Sequence, residues 1–258
     1  RLVQVLWTLA GLVLVLLLRG GSSDAVVQKG LARRILNTLT GLGPCFIKLG
    51  QALSTRPDLV RRDWLEELTR LQDDLPAFSH ATALACIREE LGAPAEELFE
   101  EFPDAPIAAA SLGQVYKACL QGQHWVAVKV QRPNLTFILR GDLVLIRALG
   151  VMTAPLLPLN LGFGLGGIID EFGRSLFEEI DYGLEAANAE RFSALFANND
   201  AVYIPKVERM LSSTRVLTTT WIDGSKMRDS EELRSQRLDP TALIRTGVIC
   251  GLQQLLEF

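Results

Sequence analysis

The stretch AAASLGQV, residues 108–115, is followed at residues 126–129 by VAVK. Around them SLGQVYKACL, a QGQH turn and WVAVKVQ read as the two strands of a hairpin, with Val126 and Val128 on one side and Ala127 and Lys129 on the other. A loop, then a strand, then a strand lysine can cradle phosphates: backbone N–H groups approach the anion and a fixed cation reaches it. Glycine suits such a loop because it lacks Cβ and permits positive φ. Only Gly113 remains here, and Ala108, Ala109, Ala110 and Ser111 fill the preceding places. Alanine methyls are expected to stiffen the loop and lift it from a ligand. By itself the stretch also reads as a plain hairpin with a solvent-exposed lysine.

The whole chain sets limits on that reading. Its 258 residues can bury a sizeable core in one or two domains. With 48% hydrophobic and 22% charged residues it is too apolar to be disordered, and its mean hydropathy of +0.21 makes a membrane segment worth seeking. Net charge is −4 and there is no long basic stripe, which excludes the electrostatic footprint of a nucleic-acid binder. Cysteines 45, 86, 119 and 250 form no CxxC pair, and His80 and His124 stand apart from them. That pattern predicts neither a metal site nor a disulfide framework, but reduced and mostly buried thiols.

Residues 2–18, LVQVLWTLAGLVLVLLL, carry no charge. As a helix they would extend roughly 25 Å, near the lower limit for crossing a bilayer core. Lys29, Arg33 and Arg34 follow, and this positive bias would leave the C-terminal part on the cytoplasmic side, or the equivalent stromal or matrix side. A membrane anchor, an in-plane helix, a buried helix of the fold and a signal segment all fit these residues. Past Gly20 to Ser23 the chain to about residue 100 reads as helical. In GLGPCFIKLGQALSTRPDLV, Phe46, Leu49 and Leu53 make an apolar face, while Lys48, Gln51 and Thr55 share another. Trp64, Leu65, Leu68 and Leu71 form a second amphipathic stripe, and a third helix runs from about Ser79 to Leu91, ended by Gly92 and Pro94.

Beyond the hairpin, residues 134–149 read as a helix and residues 155–167 as a Pro/Gly-rich connection. IIDEFGRSLFEEIDYGLEAANAERFSALF then predicts one long helix, with Phe172, Leu176, Ile180 and Leu184 as its buried stripe and Glu178, Asp181 and Glu185 on another face. AVYIPKV and RVLTTTW predict two strands, and WIDGSKM a hinge. Residues 240–258 predict a last helix.

Protein kinases place a phosphate loop and a strand lysine in this same order, with a glutamate that pairs with the lysine. Three motifs here, KLGQ at residues 48–51, AAAS to VAVK at residues 108–129, and EIDYGLEAANAERF at residues 179–192, together resemble the UbiB-like (AarF-type, ABC1) family of atypical kinases, over roughly residues 30–258. The resemblance implies an α+β, protein-kinase-like small lobe with an N-terminal helical extension and a truncated C-lobe. Its expected divisions are a hydrophobic helix at 1–19, a helical extension at 20–101 carrying KxGQ, a small lobe with inserted helices at 102–221, and a hinge with the start of a second lobe at 222–258. It also explains the opening stretch, since an alanine-rich loop replaces the glycine-rich one in that family.

The resemblance further implies ATP as ligand, with Mg2+ only in a longer protein. The nucleotide would be bound by Ala108, Ala109, Ala110, Ser111, Gly113, Val115, Ala127 and Lys129, by Glu185 as the lysine's partner, and by a hinge of Thr220, Trp221 and Ile222, with Asp223 near the ribose. Lys48 and Gln51 of KxGQ would fold over the cleft, Glu179 and Asp181 of the ExD motif engaging Lys48. On a straight helix Glu179 points about 120° from Glu185 and about 160° from Asp181, so either the helix starts late or Glu178 takes part of the role. Lys129 and Glu185 are 56 positions apart, more than in conventional kinases, and an inserted helical segment would fill the gap. No catalytic-loop aspartate or metal-holding DFG follows within these residues. Three functions stay open: part of a membrane-associated kinase or ATPase supporting prenylquinone synthesis or lipid handling, a non-catalytic nucleotide-responsive membrane scaffold for lipid-modifying enzymes, and a helical membrane adaptor.

Overall fold

The computed structural model describes residues 1–22, 24–58, 60–72, 76–153, 164–225, 233, 235 and 238–256. Helices α1 (Leu2–Arg19), α2 (Ala25–Leu42), α3 (Pro44–Ser54) and α4 (Arg62–Thr69) come first, then a 3-10 turn at Arg70–Gln72, α5 (His80–Leu91) and a short α6 (Ala95–Leu98). Local signals set several of these bounds. Asp24 accepts from the Val26 N–H and caps α2, Pro44 opens α3, and Ser79 and a left-handed Gly92 bracket α5.

Strands β1 (Ala108–Ala109), β2 (Gly113–Leu120), β3 (His124–Gln131) and β4 (Val216–Thr220) form one antiparallel sheet in the order β1-β2-β3-β4. Helices α7 (Leu135–Thr153), α8 (Leu165–Glu179) and α9 (Tyr182–Leu195) intervene between β3 and β4, and α10 (Pro240–Leu256) follows. This is the α+β, kinase-like small lobe with a helical extension. The β2–β3 turn holds Gly122 and Gln123 at positive φ, and it sets Val115 opposite Lys129 and Lys117 opposite Ala127. Alternation therefore sends Val126, Val128 and Val130 into the core and leaves Ala127 and Lys129 half-buried on the other face.

Among the described residues the buried apolar side chains gather in three clusters. Phe46 and Leu42 of the extension pack with Leu135, Leu139, Leu176 and Ile180 of α7 and α8. Leu112, at the tip of the alanine-rich loop, is buried in the same cluster. Tyr116 and the inward valines pack under α5 through Ala83 and Ile87. Tyr182, Ala186, Val207 and Leu217 make the third. Burying one such large side chain contributes roughly 1.5–3 kcal/mol, so α3 and α7 are held by several residues each.

Two expectations change. The long helix predicted over residues 168–196 is two helices: α8 ends at Glu179, Ile180 closes it, and Asp181 opens α9. Leu184 accordingly leaves the buried stripe and is 46% exposed. AVYIPKV is extended chain with one bridge, Val207 to Thr219, because Pro205 has no N–H for a ladder. Helix α1, for which the sequence left several placements open, packs on the fold along one side: Val5 and Leu12 are buried, and Arg1 donates to Asp142 of α7 at 2.6 and 2.8 Å and to the Leu42 carbonyl. Leu9 packs against the same core, while Trp7, Leu14, Leu17 and Leu18 face outward, and by length and composition α1 could cross a membrane. The connection predicted at residues 155–167 lies mostly outside the described residues.

Candidate functional site

Lys129 sits in mid-strand on β3, between the buried Val128 and Val130. Its Nζ lies 2.7 Å from Glu185 Oε2 on α9 and 4.4 Å from the centre of the Tyr182 ring. Two anchors bring α9 there. Gln131 donates to the Ile180 carbonyl at 2.6 Å, and the Tyr182 N–H donates to Thr214 O at 3.1 Å, so the break between α8 and α9 is tied to β3 and to the approach of β4. Asp181 takes the N-cap, accepting from Gly183 N at 2.9 Å and Leu184 N at 3.3 Å.

The break settles the angular conflict on the helix. Glu179, last residue of α8, receives the Lys48 ammonium from α3, while Glu185 on α9 receives Lys129. Asp181 does not join Glu179 on Lys48: its carboxylate is engaged by the two N–H groups of its own helix. Gln51 also departs from Lys48. Its amide donates to Leu71 O at 2.8 Å, turning back onto the extension. Gly50 between them is buried, and a Cβ there would lie 2.5 Å from Leu71 Cδ1 and 2.7 Å from Leu39 Cδ1. The glycine of KLGQ is a contact surface for α2 and the 3-10 turn.

A cavity of about 370 Å3 opens between the two ion pairs, lined by Lys129, Glu178, Glu179, Glu185 and Asn188. Lys129 offers three donors, and Glu185 accepts from one of them. Both pairs are partly exposed, a setting in which an ion pair contributes about 0.2–1 kcal/mol; they orient amines more than they stabilise the fold. Among the described residues no three His, Cys, Asp or Glu side chains form a group that could hold a metal ion.

The alanine-rich stretch is less open than a glycine flap. Ala108 pairs with Val115 and Ala109 with Gln114, and Ala110 N donates to Gly113 O at 2.8 Å. Ser111 and Leu112 are buried. Arg132 ties the turn from below, donating from its backbone to Leu112 O at 2.9 Å and from Nε to Ala110 O at 3.0 Å. Burial lowers the pKa of that guanidinium from its ordinary value. At the opposite end, the hinge N–H groups of Thr220 and Trp221 are engaged by Lys206 O and Trp125 O, both at 2.9 Å, so they do not point at a base edge. Asp223 accepts from the Trp221 indole at 2.7 Å.

Sequence reasoning passed over Tyr182 and Asn188. Tyr182 is fully buried beneath Lys129, and its hydroxyl finds no hydrogen-bond partner among the described residues. Burial first, then the charges of Glu185 and Glu179, push its pKa far up. A signal was present: Tyr182 and Glu185 are three apart, one turn of the same helix face.

Comparison with known proteins adds the family. The ABC1 atypical kinase-like domain matches residues 70–258. An uncharacterized Synechocystis sp. protein, slr1919, is 51% identical over 226 residues, 88% of this chain and 40% of that protein. The Arabidopsis thaliana protein ACTIVITY OF BC1 COMPLEX KINASE 1, chloroplastic, is 44% identical over 228 residues, 88% of this chain and 33% of its own length. The chain thus spans 33–40% of these relatives. A solved chain titled as the complex of Rv3197 with erythromycin, from Mycobacterium tuberculosis, is 32% identical with a TM-score of 0.49, covering 69% of this chain and 44% of that one. With its strand lysine facing a helix glutamate and a KLGQ lysine meeting the preceding helix, the chain belongs to the ABC1 atypical kinase-like family.

Proposed function

We propose that this chain is the regulatory extension and small lobe of a membrane-associated atypical kinase or ATPase that binds ATP. The observation that carries this reading is the Lys129–Glu185 pair at 2.7 Å, set on the open face of the hairpin beside the cavity. Lys129 takes the phosphates, Val115 and Ala127 line the path to the base, and the chain at Ile222, beyond the engaged N–H groups of Thr220 and Trp221, meets its far edge. Lys48 and Glu179 close the other side, so that α3 stands where a large substrate would otherwise enter. Magnesium, where the reaction needs it, is held by residues of the longer protein. The kinase names of the plant relatives support phosphoryl chemistry, and the apolar outward face of α1 supports a membrane surface. A prenylquinone precursor or membrane lipid is the substrate class we assign, with the catalytic part on the cytoplasmic or stromal side.

Thermal unfolding of the natural full-length protein tests this. ATP at a hundred times its Kd stabilises the wild type by about 2.7 kcal/mol, and Lys129→Ala abolishes the shift. An undiminished shift in that variant ends the reading. For the membrane, replacing Leu14 and Leu17 with Glu is expected to abolish co-sedimentation with anionic vesicles; unchanged sedimentation removes α1 from that role.

A further inference from the structure

The floor beneath Lys129 is the ring of Tyr182, which does not itself line the cavity. Tyr182 opens α9 with its side chain fully buried, packed with Ala186, Val207 and Leu217. Its N–H is bonded to Thr214 O, ahead of β4, and the far end of its ring reaches the alanine-rich loop, where a Cβ on Gly113 would stand 2.5 Å from the Tyr182 hydroxyl. That hydroxyl finds no hydrogen-bond partner among the described residues, so a bond made by the hydroxyl is not what the position supplies. What the ring does meet is the Lys129 ammonium, 4.4 Å from its centre.

Two groups thus grip one amine, and they differ in kind. Glu185 lies one turn further along the same helix and holds Lys129 Nζ at 2.7 Å by charge and a hydrogen bond. Phosphates arriving at Lys129 would repel that carboxylate, because neighbouring like charges disfavour each other. An aromatic face attracts a cation through its quadrupole and carries no net charge, so its hold on the ammonium survives the arrival of the anion. Burial, and then the charges of Glu185 and Glu179, push the phenol pKa far up, which keeps the ring neutral. An ammonium has three donors, and those that Glu185 does not engage are left for phosphate oxygens.

We propose that Tyr182 is a positioning residue for nucleotide binding: its ring face keeps the Lys129 ammonium in place when phosphates compete with Glu185, and its hydroxyl takes no part. The proposal rests on the nucleotide reading above.

Replacing Tyr182 with pentafluorophenylalanine in the natural full-length protein, by suppression of an amber codon, keeps the size of the ring and reverses its quadrupole. ATP affinity, measured by titration, should fall roughly fivefold, the loss of one partly exposed cation–π contact. Tyr182→Phe keeps the attractive face without the hydroxyl and should restore the wild-type affinity to within about twofold. A role in packing alone would leave the fluorinated protein binding ATP as the wild type does, so equal affinities in the two ring forms overturn the proposal and leave nucleotide binding standing. A Tyr182→Phe variant as weak as the fluorinated one also overturns it, by assigning the role to the hydroxyl. A folded wild type that binds no ATP overturns both readings. If the pentafluoro protein does not fold, difluorophenylalanine at the same position should give a smaller loss in the same direction, and an unchanged affinity there overturns the proposal equally.

Discussion

Gly113 is the glycine that the alanine-rich loop could not give up, because a Cβ there would stand 2.5 Å from the Tyr182 hydroxyl and 2.6 Å from Val130 O. The second of these is backbone and cannot swing aside. Gly113→Ala should therefore lower stability by about 1–3 kcal/mol through overpacking, read as a lower denaturant midpoint at constant slope. A neutral Gly113→Ala would mean that β2 and Tyr182 are less closely apposed than described. Ala110→Gly is the counterpart. Its N–H is already bonded to Gly113 O, so the fold should shift by no more than about 1 kcal/mol while the relaxed loop changes nucleotide affinity. Equal affinities in both forms would remove the loop's methyls from the account.

At the scale of elements, the turn between α8 and α9 does what a continuous helix cannot. A straight helix would point Glu179 and Glu185 to different sides, whereas the break lets one meet Lys48 and the other Lys129. Asp181 holds the break open as an N-cap. Asp181→Ala is expected to cost about 1 kcal/mol, and Asp181→Asn a few tenths, since asparagine caps comparably well. Thermal melts of the two variants check this; equal losses would show that the carboxylate acts by charge and not as a hydrogen-bond acceptor. The break was not legible in the sequence because Ile180 continues the apolar spacing through it. Helical periodicity reports which side is buried and says little about one residue that leaves α geometry to satisfy Gln131 and Thr214 from other elements.

At the scale of the molecule, the extension is fastened to the inserted helices by one buried charge. Asp142 of α7 is almost fully buried and receives the Arg1 guanidinium, which also reaches Leu42 O. Asp142→Ala removes two hydrogen bonds to a charged group and leaves the partly exposed Arg1 guanidinium unpaired, and should cost about 1.5–3 kcal/mol. A second readout separates local from global loss. Burial, and then the nearby Asp142 charge, push the Cys45 thiol up to about 12, so it should resist thiol reagents until α1 and α3 loosen. Asp142→Ala is expected to speed its labelling at neutral pH; unchanged labelling would mean that Arg1 does not hold the extension in place.

Local chemistry was enough to determine the hairpin, the alternation that turns Lys129 outward, the bounds of α5, and the order of motifs that marks the family. Each depends on neighbours within a turn or a strand pair, and their spacing is written in the chain. Only the folded molecule decided that Gln51 turns away to Leu71, that Asp181 serves its own helix, that Leu112 pins the alanine loop into the core, and that Tyr182 lies beneath Lys129. Those outcomes depend on which distant groups arrive with an unmet donor, an unmet acceptor or an unfilled volume, and no periodicity along one segment records that.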